Sequence, residues 1–146
     1  MVSDPSRWDE KYRAASLAPV LRVESLFHRH QIDIGELSAP RTALDIAAGA
    51  CHAAVYLAKQ GLNVTAVDCS RVGLALGKEL AERDGVRINT TTADLTVADL
   101  PKGPWSLICC FRCYSGRLRH FSCVCVCVCV CVCVCVWVCA GECARA

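Results

Sequence analysis

The chain has 146 residues, enough for one domain, with 16 basic and 14 acidic side chains and a formal net charge of +2. That balance gives no ground for expecting a nucleic-acid surface, and the N-terminus MVSDPSRWDEKYR has neither the apolar stretch of a secretory signal nor the acid-poor character of a transit peptide. Of 14 cysteines, nine lie at or after Cys123 and only Cys51 and Cys69 precede Cys109, so residues 1–108 read as a reduced, cytoplasmic domain rather than a disulfide scaffold.

Asp4 and Pro5 form a helix start, with the acid as cap and proline in the first turn. Trp8, Tyr12 and Ala15 then share one face, and Pro19 ends the helix. A weaker helical stretch spans about 20–30. From position 42 the pattern changes. TALDIA at 42–47 reads as a short buried strand, Gly49-Ala50 as a turn, and CHAAVYLAK at 51–59 as a helix stopped at Gly61. NVTAV at 63–67 is a β-branched second strand. Ser70 caps a helix over 71–84 that Gly85 ends. VRINTT at 86–91 is a third strand and WSLICCF at 105–111 a fourth. Strands alternating with helices over short connections predict an α/β fold, a Rossmann-like doubly wound parallel sheet. Its ligand crevice lies beyond the carboxyl ends of the strands.

Three acids fall at strand ends: Asp45, Asp68 and Asp94. They suit a nucleoside-containing ligand, because an acid after the second strand accepts hydrogen bonds from two ribose hydroxyls. The turn after the first strand lets backbone approach the ligand. The bland alternative is three solvated caps. A dinucleotide fingerprint G-x-G-x-x-G is not satisfied, since Ala47, Gly49 and the residues after them stand out of place. Cys51 and His52 are adjacent and do not converge on one metal, so no metal site is expected. His28 and His30 read as surface residues, and Cys109, Cys110 and Cys113 as core thiols.

ALDIAAGACHAAVYLAKQGLNVTAVDCS at 43–70 resembles the first two motifs of class I S-adenosylmethionine-dependent methyltransferases, in the small bacterial and fungal type LDLACGxGRNAxxLAxxGxxVTAVDxS. WDEKYR at 8–13 resembles the W-x-x-x-Y start of these proteins, and TADL at 92–95 and PWSLICCFR at 104–112 match their third and fourth strand regions. The resemblance covers about 7–118. It implies S-adenosyl-L-methionine as cofactor and a small-molecule or other methyl acceptor of unknown identity. Carried over by position, Asp45, Ala47 and Gly49 face the methionine part and Asp68 binds the ribose. Cys69 lies beside the adenine, Asp94 and Leu95 contact its amine and ring, and Trp8 and Tyr12 help form a lid. The family pattern D-x-G-x-G-x-G reads Asp45-Ile46-Ala47-Ala48-Gly49-Ala50-Cys51 here. Cysteine at the last glycine is expected to crowd the turn and the cofactor, with strain of about 1–3 kcal/mol. His52 and Ala53 in place of Arg-Asn are expected to weaken the helix N-terminus. No residue stands out as a catalytic base.

The resemblance stops near Leu118, so the expected organisation is a helical lid segment at 1–40, a partial cofactor-binding domain at 41–118 and a low-complexity tail at 119–146. The domain is expected to be truncated after its fourth strand, with that strand an exposed edge and turnover weak or absent. The tail CVCVCVCVCVCVCV at 123–136 has four readings. The apolar run 123–140 is long enough for a membrane span, though half valine in strict alternation. Its cysteines line one face of an extended chain and could take soft metals. It could pair with the fourth strand, only antiparallel, since a parallel crossover needs more chain than the few residues after Leu118. Or it is a translated GT repeat, whose codons read Val-Cys without end; this reading fits the alternation best. The alternative to an enzyme is therefore a non-enzymatic product, membrane-associated through 123–140 or aggregating through a charge-free β-prone run.

Overall fold

Alternation along β1 (Thr42–Ile46) sets the layers of the molecule. Ala43 and Asp45 face one side of the sheet, and Leu44 and Ile46 the other. The computed structural model describes residues 4–14, 23–29, 33–37, 39–111 and 134–138. In chain order the elements are α1 (Pro5–Ala14), α2 (Val23–Arg29), β1, α3 (His52–Lys59), β2 (Asn63–Asp68), α4 (Arg71–Arg83), β3 (Asn89–Thr92), β4 (Leu107–Phe111) and β5 (Val134–Val138). One sheet of order β3-β2-β1-β4-β5 contains all five strands. The first four are parallel, with Asp45 level with Ala66 on β2 and Cys109 on β4. Between β1 and β4 the strand order changes direction. In open α/β sheets such a reversal marks the place of the ligand crevice, here at the carboxyl end of β1.

The helices follow the sequence expectations closely. Asp4 Oδ1 accepts from the Ser6 N–H at 3.0 Å, which caps α1. Trp8 and Tyr12 stack at 6.5 Å, as residues four apart on one helix face do. The predicted positions of Ala15, Pro19 and His30 lie outside the described residues. β3 begins at Asn89 rather than Val86, because Val86 and Ile88 pack beside Val55, Leu80 and Ala81.

Two cores result. On the helix-covered face Ala43, Val64, Ala66, Leu107 and Cys109 meet Phe27, Ala54, Leu57 and Leu74. Leu57 is fully buried, a contribution of about 1.5–3 kcal/mol that fixes α3 on the sheet. On the opposite face Leu44, Ile46, Val67 and Cys110 are covered by Leu95, Leu100 and Trp105 from the connection between β3 and β4. The Arg41 guanidinium donates to the carbonyls of Ile34, Leu37 and Gln60, tying the segment before β1 to the end of α3.

One expectation is corrected. β4 is not an open edge: β5 pairs with it antiparallel, from Phe111↔Val134 to Leu107↔Val138. An unpaired edge is a template for any extended segment, and a valine-rich alternating run has high strand propensity. Residues 134–138 are thus strand rather than membrane helix, and no described helix is long and apolar enough to cross a membrane. The Cys51 side chain is fully buried in the core, with its Sγ 3.6 Å from the Gly49 carbonyl oxygen of the turn. It fits because α4 carries Gly77 opposite it, where a Cβ would lie 2.4 Å from Cys51 Sγ and 2.5 Å from its Cβ.

This pairing gives a test. Gly77→Ala is expected to lower stability by about 1–3 kcal/mol through overpacking. In a Cys51→Gly background most of that cost disappears, giving a coupling of at least about 1 kcal/mol in a urea-unfolding double-mutant cycle. Additive costs would show that the two residues do not compete for one space.

Candidate functional site

The turn that joins β1 to α3 forms the floor of the crevice. Its three motif positions all have left-handed backbone: Ala47 at φ 55°, Gly49 at 54° and Cys51 at 59°. Glycine adopts this region freely, whereas alanine and cysteine are strained in it. The turn is held from outside. Ala48 N–H donates to the Val67 carbonyl at 3.1 Å, Cys51 N–H to the Ala48 carbonyl at 2.8 Å, and Gly49 N–H to Asp68 Oδ2 at 2.8 Å. Asp68 Oδ1 accepts from Ser70 N–H at 2.8 Å. One carboxylate at the end of β2 therefore fixes both the β1–α3 turn and the start of α4.

Asp45 has a different position. It points to the helix face and is 2% exposed. Its Oδ2 accepts from Ala54 N–H at 3.1 Å, and Cys109 Sγ lies 3.5 Å from Oδ1. Cys51, at the N-cap position of α3, makes no side-chain cap bond, and Asp45 serves one of the open N–H groups, that of Ala54. Burial raises the Asp45 pKa to about 7. The bonds from Cys109 and Ala54 oppose that shift and the Asp68 charge adds to it. Burial and Arg83 hold the His52 pKa below its usual value.

The other predicted residues are placed as follows. Cys69 is half-buried behind Asp68. Asp94 Oδ1 accepts from the Thr96 N–H at 2.9 Å and from the Thr96 hydroxyl at 2.7 Å, shaping the turn after β3. Leu95 is buried against Leu44, Ile46 and Val67. Trp8 is half-buried on α1. Tyr12 lies over the glycine turn: a Cβ on Gly49 would meet its Oη at 2.1 Å, and one on Gly73 its Cδ2 at 3.1 Å. Burial and the neighbouring Asp68 charge push the Tyr12 phenol up to about 12.

Two residues here were not anticipated. Gly73 lets α4 approach the turn, since a Cβ there would lie 2.9 Å from the Gly49 carbonyl oxygen. A glycine in the first turn of a helix is the signal that marks it. Asp9 on α1 accepts at Oδ1 from the Ser70 hydroxyl at 2.6 Å and from Val72 N–H at 3.2 Å. Nothing in its local sequence indicates a bond to residues more than 60 positions away. Among the described residues no cluster of three or more potential ligands could hold a metal ion.

The family model described as methyltransferase domain matches residues 43–124, which run from β1 past β4. The chain belongs to the methyltransferase domain family. No curated protein matches it. Among solved structures, this methyltransferase domain is similar to a SAM-dependent methyltransferase from Geobacter sulfurreducens in complex with S-adenosyl-L-homocysteine. The identity is 17%, covering 76% of this chain and 56% of that one, with a TM-score of 0.54. It is similar too to magnesium protoporphyrin IX methyltransferase from Synechocystis PCC 6803 with bound SAH, at 20% identity, covering 72% and 51%, with a TM-score of 0.50. The chain thus spans about half the length of each, and the fold it shares with them is the Rossmann-like α/β methyltransferase fold.

The Asp45 environment predicts a pH dependence. Its folded pKa lies above the ordinary value of 3.8. The native state therefore binds more protons than the unfolded one between about pH 4 and pH 7, and stability falls as pH rises through that window. The contribution is on the order of 4 kcal/mol, complete below pH 4 and lost by about pH 7. Asp45→Asn is expected to flatten this part of the stability profile in chemical denaturation from pH 4 to 8. An unchanged slope would show that Asp45 titrates normally.

Proposed function

We propose that this domain binds S-adenosyl-L-methionine in the crevice beyond β1 and β2 and takes part in methyl transfer to an acceptor. The observation that carries this reading is the turn 47–51. Its three motif positions are all left-handed, and Asp68 anchors it at the end of β2. Two solved proteins of the same fold are described with S-adenosyl-L-homocysteine bound, which supports the same ligand class here.

The residues present fit such a ligand at two points. A carboxylate offers about four acceptor positions, and Asp68 uses two, on Gly49 and Ser70. The remaining lone pairs can receive two vicinal ribose hydroxyls. Gly49 presents backbone without a side chain, and the space above it holds only the Tyr12 ring. Ala47 and Cys69 line the same turn and strand end, with Asp94 and Leu95 at the neighbouring strand end. When bound, the cofactor supplies an electrophilic methyl group on a sulfonium centre. The chain's own part is to bind, orient and shield that group, since positioning dominates such transfers. Asp45 supports the floor from below by capping α3, and we assign it no contact with the ligand. No described side chain is placed as a general base, so the acceptor must arrive as a competent nucleophile or bring its base with it. Cys51 and Cys109 are free thiols, which suits a cytoplasmic, reducing setting.

Calorimetric titration of the full chain with S-adenosyl-L-homocysteine, alongside amide NMR, tests the proposal. Shifts at Gly49 and Asp68 on titration are expected. Asp68→Asn should weaken binding at least about tenfold, or 1.4 kcal/mol, while the spectrum stays dispersed. A dispersed wild-type spectrum indifferent to the ligand would rule the proposal out.

A further inference from the structure

In the antiparallel ladder of β4 and β5, Cys110 stands directly opposite Cys135. Among the described strand pairings this is the only position with cysteine on both strands. Residues directly opposite in such a ladder have Cα atoms about 4.5–5.5 Å apart, within the roughly 4.4–6.8 Å that a disulfide bridges. Opposite residues also share a face of the sheet. Cys110 belongs to the face of Leu44, Ile46 and Leu95, where it is 5% exposed. Its neighbour Cys109 belongs to the helix face, level with Asp45 on β1 and Val136 on β5.

Register selects Cys135 from the other tail cysteines. The run 123–136 repeats every two residues, so a slip of two would set Cys133 opposite Cys110 and leave the alternation unchanged. Trp137 interrupts the repeat, and it stands opposite Ile108. An aromatic residue opposite a β-branched one is a favoured cross-strand pair, and the slip would put Cys135 in that place. We infer that Cys110 and Cys135 are a redox-responsive dithiol whose disulfide staples β5 to β4. The oxidant is a small-molecule disulfide of the glutathione class. The Cys135 thiolate attacks one sulfur of oxidised glutathione, breaking its S–S bond and releasing one glutathione thiolate. That thiolate takes up the Cys110 proton. The Cys110 sulfur then attacks the Cys135 sulfur, and the second glutathione leaves as thiolate. Two protein thiols are oxidised and one glutathione disulfide is reduced to two thiols. The second step lies within the chain, so it needs no entry of a reagent to Cys110. In a reducing setting the pair stays reduced and responds to an oxidative shift. Once formed, the bond keeps the β4 edge covered, an edge that is otherwise a template for association. The inference goes beyond the proposed function and needs no ligand in the crevice.

Peptide mapping of the full chain tests the pair. The folded protein is held in oxidised glutathione, blocked with N-ethylmaleimide and digested with trypsin, which separates 103–112 from 120–144. Fragmentation of the linked peptides is expected to place the bond between Cys110 and Cys135, at least about tenfold over Cys110 with Cys133, because the folded ladder sets one register. The same treatment in urea should spread the bond along the tail cysteines. Cys135→Ser should lower the yield of linked 103–112 and 120–144 at least about tenfold, since a serine cannot take part in the exchange. No link in the folded chain, a spread equal to that in urea, or an undiminished yield through Cys133 in the variant would each overturn the pair. Hydrogen exchange then reads the staple. Oxidation should slow the amides of 134–138 at least about tenfold, and dithiothreitol should restore the original rates. Equal rates in the linked and reduced chains would overturn the staple.

Discussion

The Asp68 carboxylate is the interaction on which the rest of the site depends. It bonds Gly49 N–H with one oxygen and Ser70 N–H with the other. Charge-assisted bonds of this kind are about twice as strong as neutral ones. Through the first bond it holds a turn in which Ala47 and Cys51 occupy backbone that disfavours side chains. Through the second it sets Ser70, which caps α4 and receives Asp9 from α1. The strain in the turn, of order 1–3 kcal/mol for each such residue, persists because this anchor and the fully buried Cys51 side chain leave the backbone no relaxed alternative.

Much of the fold was legible because its signals are local. β-branched strands, caps at Asp4 and Ser70 and stops at Gly61 and Gly85 are all written within a few residues. Four strands and four helices follow from them, with boundaries shifted by up to three residues. The three strand-end acids were found too, but their side-chain roles could not be read. Alternation along β1 places Asp45 on the helix face, and only the pairing of β1 with β4 brings Cys109 to it. Asp68 is central to the crevice, and Asp94 braces its own turn. What remained hidden was non-local. The room for Cys51 comes from a glycine 26 positions later, and Asp9 reaches α4 only once the sheet has carried that helix back. Antiparallel pairing of the tail with β4 was one of the readings its alternation allowed, and what decides among them is the edge that β4 presents.

The two carboxylates nearest the floor divide their duties by environment. Asp68, at the end of β2, bonds to backbone from two segments. Asp45 is sealed beneath α3, where desolvation outweighs two hydrogen bonds. The first ties two turns together, whereas the second supports the helix. Resemblance alone assigns both to the cofactor; their surroundings separate them.

The buried thiols carry a consequence for chemical reactivity. Thiolates are the species that alkylating agents and oxidants attack. Burial raises the pKa of Cys51 and of Cys109, and the Asp45 charge raises both further. Cys110 is buried beneath the opposite face. Of the described cysteines, only Cys69 is part-exposed. Cys51, Cys109 and Cys110 should therefore be nearly silent toward thiol reagents while the fold stays closed. Modification of Cys51 or Cys109 would time the opening of its core and leave a covalent record of each excursion.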